Sequence, residues 1–390
     1  MIFSYSQVNL MKSTEEIFID IMHRSGIDIV ASLPCDRLKN LIPLIDNTFY
    51  HVPITREESG VGICAGAYMA GSRPMAVIQS TGLGNMINAL ESLNISCQIP
   101  LPILASWRGV YKEKIEAQKP LGEHLPSILE GAGISYTIID RIENIHQLET
   151  CIEDSFKNHR PHVILVSPIV WEGSICSAWA EEGQVLMKGR SCNFHFRGCI
   201  DEAQMLRYDA INTIAPHFDD EVVVCNIGIP SKELYSIKDR DLNYYMFGSM
   251  GLASSIGAGI AIKSDRKVVV LDGDGSLLMN PNALFEAAFL NPANLIIIAL
   301  DNGAYGSTGS QKTLTSKNLD LEFLALACGF ENTIKVHTPE ELLAAYQNMK
   351  ASTKMGFIHV ILKPGNAKVA NIPIKPADVT RRFMRSLSNR

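Results

Sequence analysis

The sequence predicts an α/β protein of two doubly wound, mostly parallel-sheet domains with no middle domain. Three observations predict it. Val/Ile/Leu-rich runs of strand length recur along the chain with helix-length segments between them, the pattern of buried parallel strands in βα units. The 390 residues exceed what one ordinary core organises. A stretch without hydrophobic period, WEGSICSAWAEEGQVLMKGRSCNFHFRG, interrupts the alternation near the middle.

In chain order, the first half offers six strand-like runs: IDIVASLP, YHVPITRE, PMAVIQSTG, LPILASWRG, ISYTIID and HVILVSP. The second half offers EVVVCNIG, NYYMFGS, KVVVLDGDG, NLIIIALDN, NTIKVH and FIHVILKPG. Each set supports one open sheet of about six strands. The domains are placed at 12–170 and 199–370 with a linker over 171–198 and its boundary near residue 190. A helix from about Asp201 to Ala215 opens the second domain, and the basic stretch NIPIKPADVTRRFMRSLSNR reads as a surface tail. The two halves share no obvious sequence repeat.

Composition narrows the function classes. Hydrophobic residues make up 46% and charged residues 19%, and the net charge is −6, which argues against a nucleic-acid surface. The nine cysteines form no C-x-x-C and no zinc-finger spacing, so reduced thiols are expected. No apolar run reaches membrane-spanning length, and MIFSYSQVNL lacks the plan of a signal peptide, so a cytoplasmic location is expected. Met11 is a second candidate start, since a helical pattern begins just after it.

The chemistry concentrates in VVVLDGDGSLLMNPNALFEAAFLNPANLIIIALDNGAYGS. Asp274 follows one apolar run and Asn302 follows the next, with a helix over Pro281 to Leu290 between them. In an open parallel sheet, ligands sit beyond the carboxyl ends of the strands. Adjacent strands would therefore bring Asp274 and Asn302 to one crevice, and Gly273 and Gly275 would let the backbone approach a ligand closely. A carboxylate, a side-chain amide and a backbone carbonyl form a hard oxygen set that suits Mg²⁺ bridging to phosphate oxygens.

GDGS, the 26 residues from Gly275 to Asn302, and an Asn closing the next apolar run resemble the signature of thiamine-diphosphate enzymes. The resemblance implies a thiamine diphosphate cofactor and Mg²⁺, with Asp274, Asn302 and the carbonyl of Ala304 as metal ligands and Ser276 beside the diphosphate. Two further stretches fit that family. In TREESGVGICAGAYMAGSRP, Glu58 stands ten positions before Tyr68 and matches the glutamate that hydrogen-bonds the cofactor's aminopyrimidine ring. Its neighbour Glu57 is then read as solvated. In NYYMFGSMGLASSIGAGIAI, Met250 matches the apolar wedge beneath the bent cofactor, and Gly248 and Ser249 lie where the backbone would approach the diphosphate. The resemblance covers about residues 12 to 366. It implies a pyrimidine-binding domain followed by a diphosphate-binding domain, with active sites between the subunits of a homodimer or homotetramer.

The layout without a middle domain resembles the sulfopyruvate and phosphonopyruvate decarboxylase group, through QSTGLGNMINALESL, SWRGVYKEK and GSMGLASSIGAGIAI. That resemblance, which leans toward the sulfopyruvate branch with its two halves fused, implies a small anionic 2-oxo acid substrate. A sulfonate product would point to coenzyme M biosynthesis. Candidates for the anionic head are Arg108, Lys112 and Lys114, with Ser80, Thr81 and Asn85 in the STGLGN turn. No His-His pair occurs, leaving His124 as the candidate proton donor beside Gln118 and Glu123. Asp36 and Arg37 either line the entrance or cap a helix. A carboligase and a non-catalytic diphosphate-binding protein remain as rivals; the latter needs Asp274 and Asn302 but not Glu58 or Met250.

Overall fold

Fourteen strands build two six-stranded sheets and one short hairpin among the residues described, 12–174, 176 and 202–388, of a computed structural model. The first sheet uses β1 (Ile29–Ser32), β2 (Tyr50–Pro53), β3 (Pro74–Gln79), β4 (Leu101–Ser106), β5 (Ser135–Ile139) and β6 (Pro161–Val166) in the order β2-β1-β3-β4-β6-β5. The second uses β7 (Val222–Cys225), β8 (Asn243–Tyr245), β9 (Val268–Gly273), β10 (Leu295–Asp301), β13 (Asn332–Val336) and β14 (Gly356–Ile361) in the order β13-β14-β10-β9-β7-β8. The hairpin pairs β11 (Ala304–Tyr305) with β12 (Gln311–Lys312). All pairs within the two large sheets are parallel.

Each of the twelve predicted runs lands on a strand, most plainly where a strand buried on both faces leaves its apolar run unbroken. Ile296 to Leu300, for example, has both faces covered. Read along the chain, the two sheets have the same topology: the second strand lies on one side of the first, and the remaining four lie on the other. Each therefore has a central order reversal, between β1 and β3 in the first half and between β7 and β9 in the second, besides the swapped last two strands at one edge. A parallel α/β sheet opens its ligand crevice at that reversal.

The halves join through the helices Glu57–Met69 and Ala253–Ala261. Their glycines let backbone touch backbone. A Cβ on Gly66 would lie 2.1 Å from the Ile256 carbonyl oxygen, and one on Gly259 would lie 2.1 Å from that of Ile63. Both helices are buried nearly all round, so neither shows an amphipathic stripe.

Two expectations are corrected here. The C-terminal stretch is not a loose tail: Pro376–Ser388 is a helix whose Val379 and Phe383 are buried, with Phe383 packed on Tyr244. Arg381 reaches Gln98 of the first half at 2.7 Å, and Arg382 grips Asp239 of the second through two 2.8 Å bonds. The helix expected over 201–215 is shorter, Arg207–Ile214, because the chain before it runs extended and Gln204 donates its N–H to the His337 carbonyl. Most of the expected linker, 177–198, and both candidate start methionines lie outside the described residues.

Candidate functional site

Three neighbouring strands of the second sheet deliver the predicted polar residues to one place. β9 ends at Gly273 and passes directly into a short helix whose first residue is Asp274. β10 ends at Asp301, so Asn302 follows at the same level of the sheet. β7 ends at Cys225, and its exit supplies Asn226, Ile227 and Gly228 before the helix Ile229–Ile237. Gly228 has φ 87°, a backbone conformation that glycine adopts without strain. These exits, with Met250, Gly275, Ser276, Ala304 and the segment Tyr305 to Thr308, enclose a cavity of about 230 Å³. It opens at the sheet's order reversal.

Asp274 is 3% exposed and accepts hydrogen bonds from the hydroxyls of Thr313 and of Thr315, the latter at 3.1 Å. Burial, reinforced by the charge of Asp301, raises its pKa to about 6. Asn302 is 4% exposed; its Oδ1 accepts the Ala304 N–H at 3.2 Å, and its Nδ2 is buried without a partner. Buried polar atoms ordinarily find a partner, so this orphan marks the wall of a ligand site. Among the described residues, no group of three or more His, Cys, Asp or Glu is arranged around a metal. One buried carboxylate beside an amide and the Ala304 carbonyl fits Mg²⁺, which takes few protein ligands and completes its shell with phosphate and water. Aromatic packing closes the turn: a Cβ on Gly275 would fall 2.3 Å from the Tyr305 ring.

Met250 lines this cavity as expected, but Gly248 and Ser249 do not. Ser249, at φ 54°, places its hydroxyl 2.7 Å from that of Ser92 in the first half, and a Cβ on Gly248 would lie 2.7 Å from Ser92. The glycine-rich turn serves the contact between the halves at these two positions. Ser276 holds the turn, accepting the Gly251 N–H at 3.0 Å.

Glu58 lies in the first turn of its helix, with Arg56 Nε at 3.2 Å from its carboxylate. It does not line the cavity of its own chain. The residues flanking it are nonetheless fixed by the second half. Thr55 donates its N–H and its hydroxyl to Glu286 at 2.8 and 3.0 Å, and Ser59 donates to Asn280 at 3.0 Å. Asn280 in turn donates to the Gly251 carbonyl at 3.2 Å, so the Glu58 turn and the Met250 turn share one brace. Burial holds Glu286 up at about 7, and its second oxygen has no partner. Glu57 corrects the reading of a solvated neighbour. It is 4% exposed and accepts from Asn85 at 2.9 Å, beneath Gly82, where a Cβ would strike its carboxylate at 2.2 Å.

The candidates for the substrate's anionic head separate sharply. Arg108 is 4% exposed, and its guanidinium is consumed: two bonds at 2.8 and 3.1 Å go to Glu113 and one at 2.5 Å to Asp36. Arg108 holds the Glu113 carboxyl down at about 2. Its backbone N–H occupies the Ser80 hydroxyl at 2.9 Å. Asp36 thus anchors Arg108 rather than capping a helix, while Arg37 lies beside Asp36 at 3.7 Å. Lys112 is exposed and pairs with Glu172 at 2.8 Å, and Lys114 is exposed. Asn85 is taken by Glu57, and His124 and Glu123 are exposed on the helix Lys119–Gly131. Three side-chain oxygens of this region stay buried without partners, Thr81 Oγ1, Ser106 Oγ and Gln118 Oε1. Sequence reasoning missed Arg207, Asn226 and Gly228; only the exit from β7 signals the last two, and nothing local signals Arg207.

The chain has relatives that bear on this geometry. The thiamine pyrophosphate enzyme N-terminal TPP binding domain matches residues 12–127, and the corresponding C-terminal TPP binding domain matches residues 230–360. The chain is 59% identical to the sulfopyruvate decarboxylase of Methanosarcina acetivorans over 96% of its own length and 97% of that protein's. It is 32% identical to a phosphonopyruvate decarboxylase of Streptomyces viridochromogenes, over 92% and 91%. The separate alpha and beta subunits of the Methanococcus maripaludis sulfopyruvate decarboxylase match 42% and 47% of the chain, at 38% and 42% identity and 98% of each subunit. The fold is shared with a Rhodococcus jostii thiamine diphosphate-dependent 4-hydroxybenzoylformate decarboxylase, at a TM-score of 0.69 and 14% identity over 91% of this chain and all of that one. With both cofactor-binding domains matched in order and near full-length identity to these decarboxylases, the chain belongs to the thiamine diphosphate-dependent enzymes, in the sulfopyruvate and phosphonopyruvate decarboxylase group.

Proposed function

We propose that the chain catalyses the non-oxidative decarboxylation of 3-sulfopyruvate to sulfoacetaldehyde and CO₂, in the cytoplasm and in the service of coenzyme M biosynthesis. The observation that carries this reading is the 59% identity, sustained along both halves, to a sulfopyruvate decarboxylase. Thiamine diphosphate, when bound, supplies the electron sink for loss of CO₂ from a 2-oxo acid.

The residues take these roles. Asp274, the Oδ1 of Asn302 and the carbonyl of Ala304 hold Mg²⁺, which the oxygen donor set supports, while the unpaired Nδ2 donor of Asn302 suits a phosphate oxygen. Gly273, Gly275 and Ser276 form the wall along which the diphosphate lies, and Met250 shapes the cofactor above it. Glu58 holds a proton at the aminopyrimidine ring. Because Glu58 does not line its own chain's cavity, it serves the cavity of a second copy, in a homodimer or homotetramer. Met279, Phe285 and Phe289, exposed near that brace, support a covered surface there. For the substrate, the unpaired Thr81 hydroxyl is the member of the STGLGN turn with bonding capacity to spare. His124 then supplies the proton that completes the aldehyde.

The test is release of aldehyde and CO₂ by purified protein with thiamine diphosphate and Mg²⁺, offered sulfopyruvate, phosphonopyruvate and pyruvate side by side. Turnover of sulfopyruvate is expected. Preference for phosphonopyruvate would move the head group to that of the 32% identical relative. Bound cofactor without turnover of any 2-oxo acid would overturn the decarboxylase.

A further inference from the structure

The cavity holds one cation that no motif announced. Arg207, the first residue of the helix Arg207–Ile214, lines the same cavity as Asp274 and Asn302 and is 6% exposed. Its Nε and Nη2 donate to the two oxygens of Glu233 at 2.8 and 3.2 Å, and Nη2 also donates to Asn366 at 2.8 Å. Glu233 is fully buried and also accepts the Ala367 N–H at 3.1 Å. Among the described residues, no hydrogen bond engages Nη1. The planar guanidinium is thus clamped along one edge, and its remaining donor is left for whatever enters the cavity.

We propose that Arg207 is the cationic anchor for the terminal phosphate of the diphosphate. Three observations converge. A buried Arg–carboxylate pair is expensive to desolvate, and a donor of it that takes no protein partner at a cavity wall is available to a ligand arriving from solution. The same wall carries Asn226 and the N-terminus of the nine-residue helix Ile229–Ile237, whose free N–H groups favour an anion. Asn366 also donates to the Gly306 carbonyl at 2.7 Å, so the group that orients Arg207 holds the segment closing the cavity. An aligned donor of this kind gives a charge-assisted bond to a phosphate oxygen. The inference rests on membership of the thiamine diphosphate-dependent enzymes and is independent of the substrate's head group.

The test is calorimetric titration of the metal-loaded apoprotein with thiamine diphosphate and with thiamine monophosphate, without any 2-oxo acid. Arg207→Lys keeps the charge but loses the fork. Arg207→Gln with Glu233→Gln removes both charges together and so avoids stranding a buried carboxylate. Thermal melting of the apoproteins establishes that each variant is folded. Both variants are expected to bind thiamine diphosphate roughly 10- to 100-fold more weakly. Thiamine monophosphate affinity should change little, so the preference for the longer ligand collapses. An unchanged diphosphate-to-monophosphate preference in the folded double variant overturns the proposal. So does unchanged diphosphate affinity with a raised KM for the 2-oxo acid, which would move Arg207 to the substrate. Failure of the protein to decarboxylate sulfopyruvate leaves this binding readout intact, so the two proposals fail separately.

Discussion

The order reversals of the two sheets sit at equivalent places in one topology, yet one is open and the other is plugged. Between β7 and β9 the strand exits enclose a cavity with an unpaired Asn302 amide and a buried Asp274 whose carboxyl is held above its ordinary range. Between β1 and β3 the equivalent exits carry Asp36 and Ser80, and Arg108 from the end of β4 fills the gap by bonding both, with Glu113 closing over it. The lesson concerns where polar chemistry is left unfinished. In the first half Asp36, Ser80, Arg108 and Glu113 satisfy one another and fill the reversal, with Thr81 Oγ1 and Arg37 Nε left without hydrogen bonds beside them. The residue with a proposed catalytic role, Glu58, lies elsewhere, in the first turn of a helix. In the second half the reversal stays open and the unpaired Asn302 amide faces a cavity, and an unfinished polar group on an open wall marks a ligand site better than residue type does.

The strongest way to break the comparison is to remove the open crevice. Asp274→Ala should abolish Mg²⁺-dependent binding of thiamine diphosphate, read by calorimetry, and all turnover with it. Next, Glu58→Gln should separate the halves' roles. Cofactor binding should persist while kcat falls by roughly 10²–10⁴, the usual scale for losing a positioned proton-transfer group; strong loss of binding would count against the role. Unplugging the closed crevice comes third. Arg108→Ala strands Glu113 beside a void and should cost about 3–5 kcal/mol in urea unfolding. A large rise in KM with stability intact would instead return Arg108 to the substrate.

The fourth concerns the brace between the two regions. Glu286 sits at about 7 against an ordinary 4.5, because its burial outweighs the hydrogen bonds from Thr55 that favour the carboxylate. The folded chain therefore keeps a proton that the unfolded chain releases. The stability linked to it is complete below about 4.5 and is lost as pH rises through about 7, on the order of 3 kcal/mol across the window. Glu286→Gln should flatten the melting temperature over that range; an unchanged slope would deny the shift. The smallest effect is expected from Lys112→Ala, whose charge is exposed and paired with Glu172: KM should stay within about twofold, as rim charges usually allow.

The sequence made the sheets legible and made the cavity half legible. Strands buried on both faces carry their own signal, and Asp274 and Asn302 follow them directly, so their convergence was predictable from adjacency alone. What stayed hidden was pairing across distance. Nothing near Arg108 in the chain says that Asp36, 72 residues earlier, will claim it. Nothing near Arg207 says that Glu233 and Asn366 will leave one of its donors free. The C-terminal helix was misread because its basic face is continuous, while Val379 and Phe383 give only two buried anchors.

The glycine contact at Gly66 and Gly259 has a consequence for how the enzyme behaves on dilution. Two separate polypeptides meeting there would obey mass action, parting as their concentration fell. In one chain, each half sees the other at an effective concentration on the order of millimolar, whatever the volume. The ratio of the halves is also fixed at one to one by translation. Loss of specific activity on dilution would therefore report the assembly of whole chains alone, cleanly separated from the joint inside each of them.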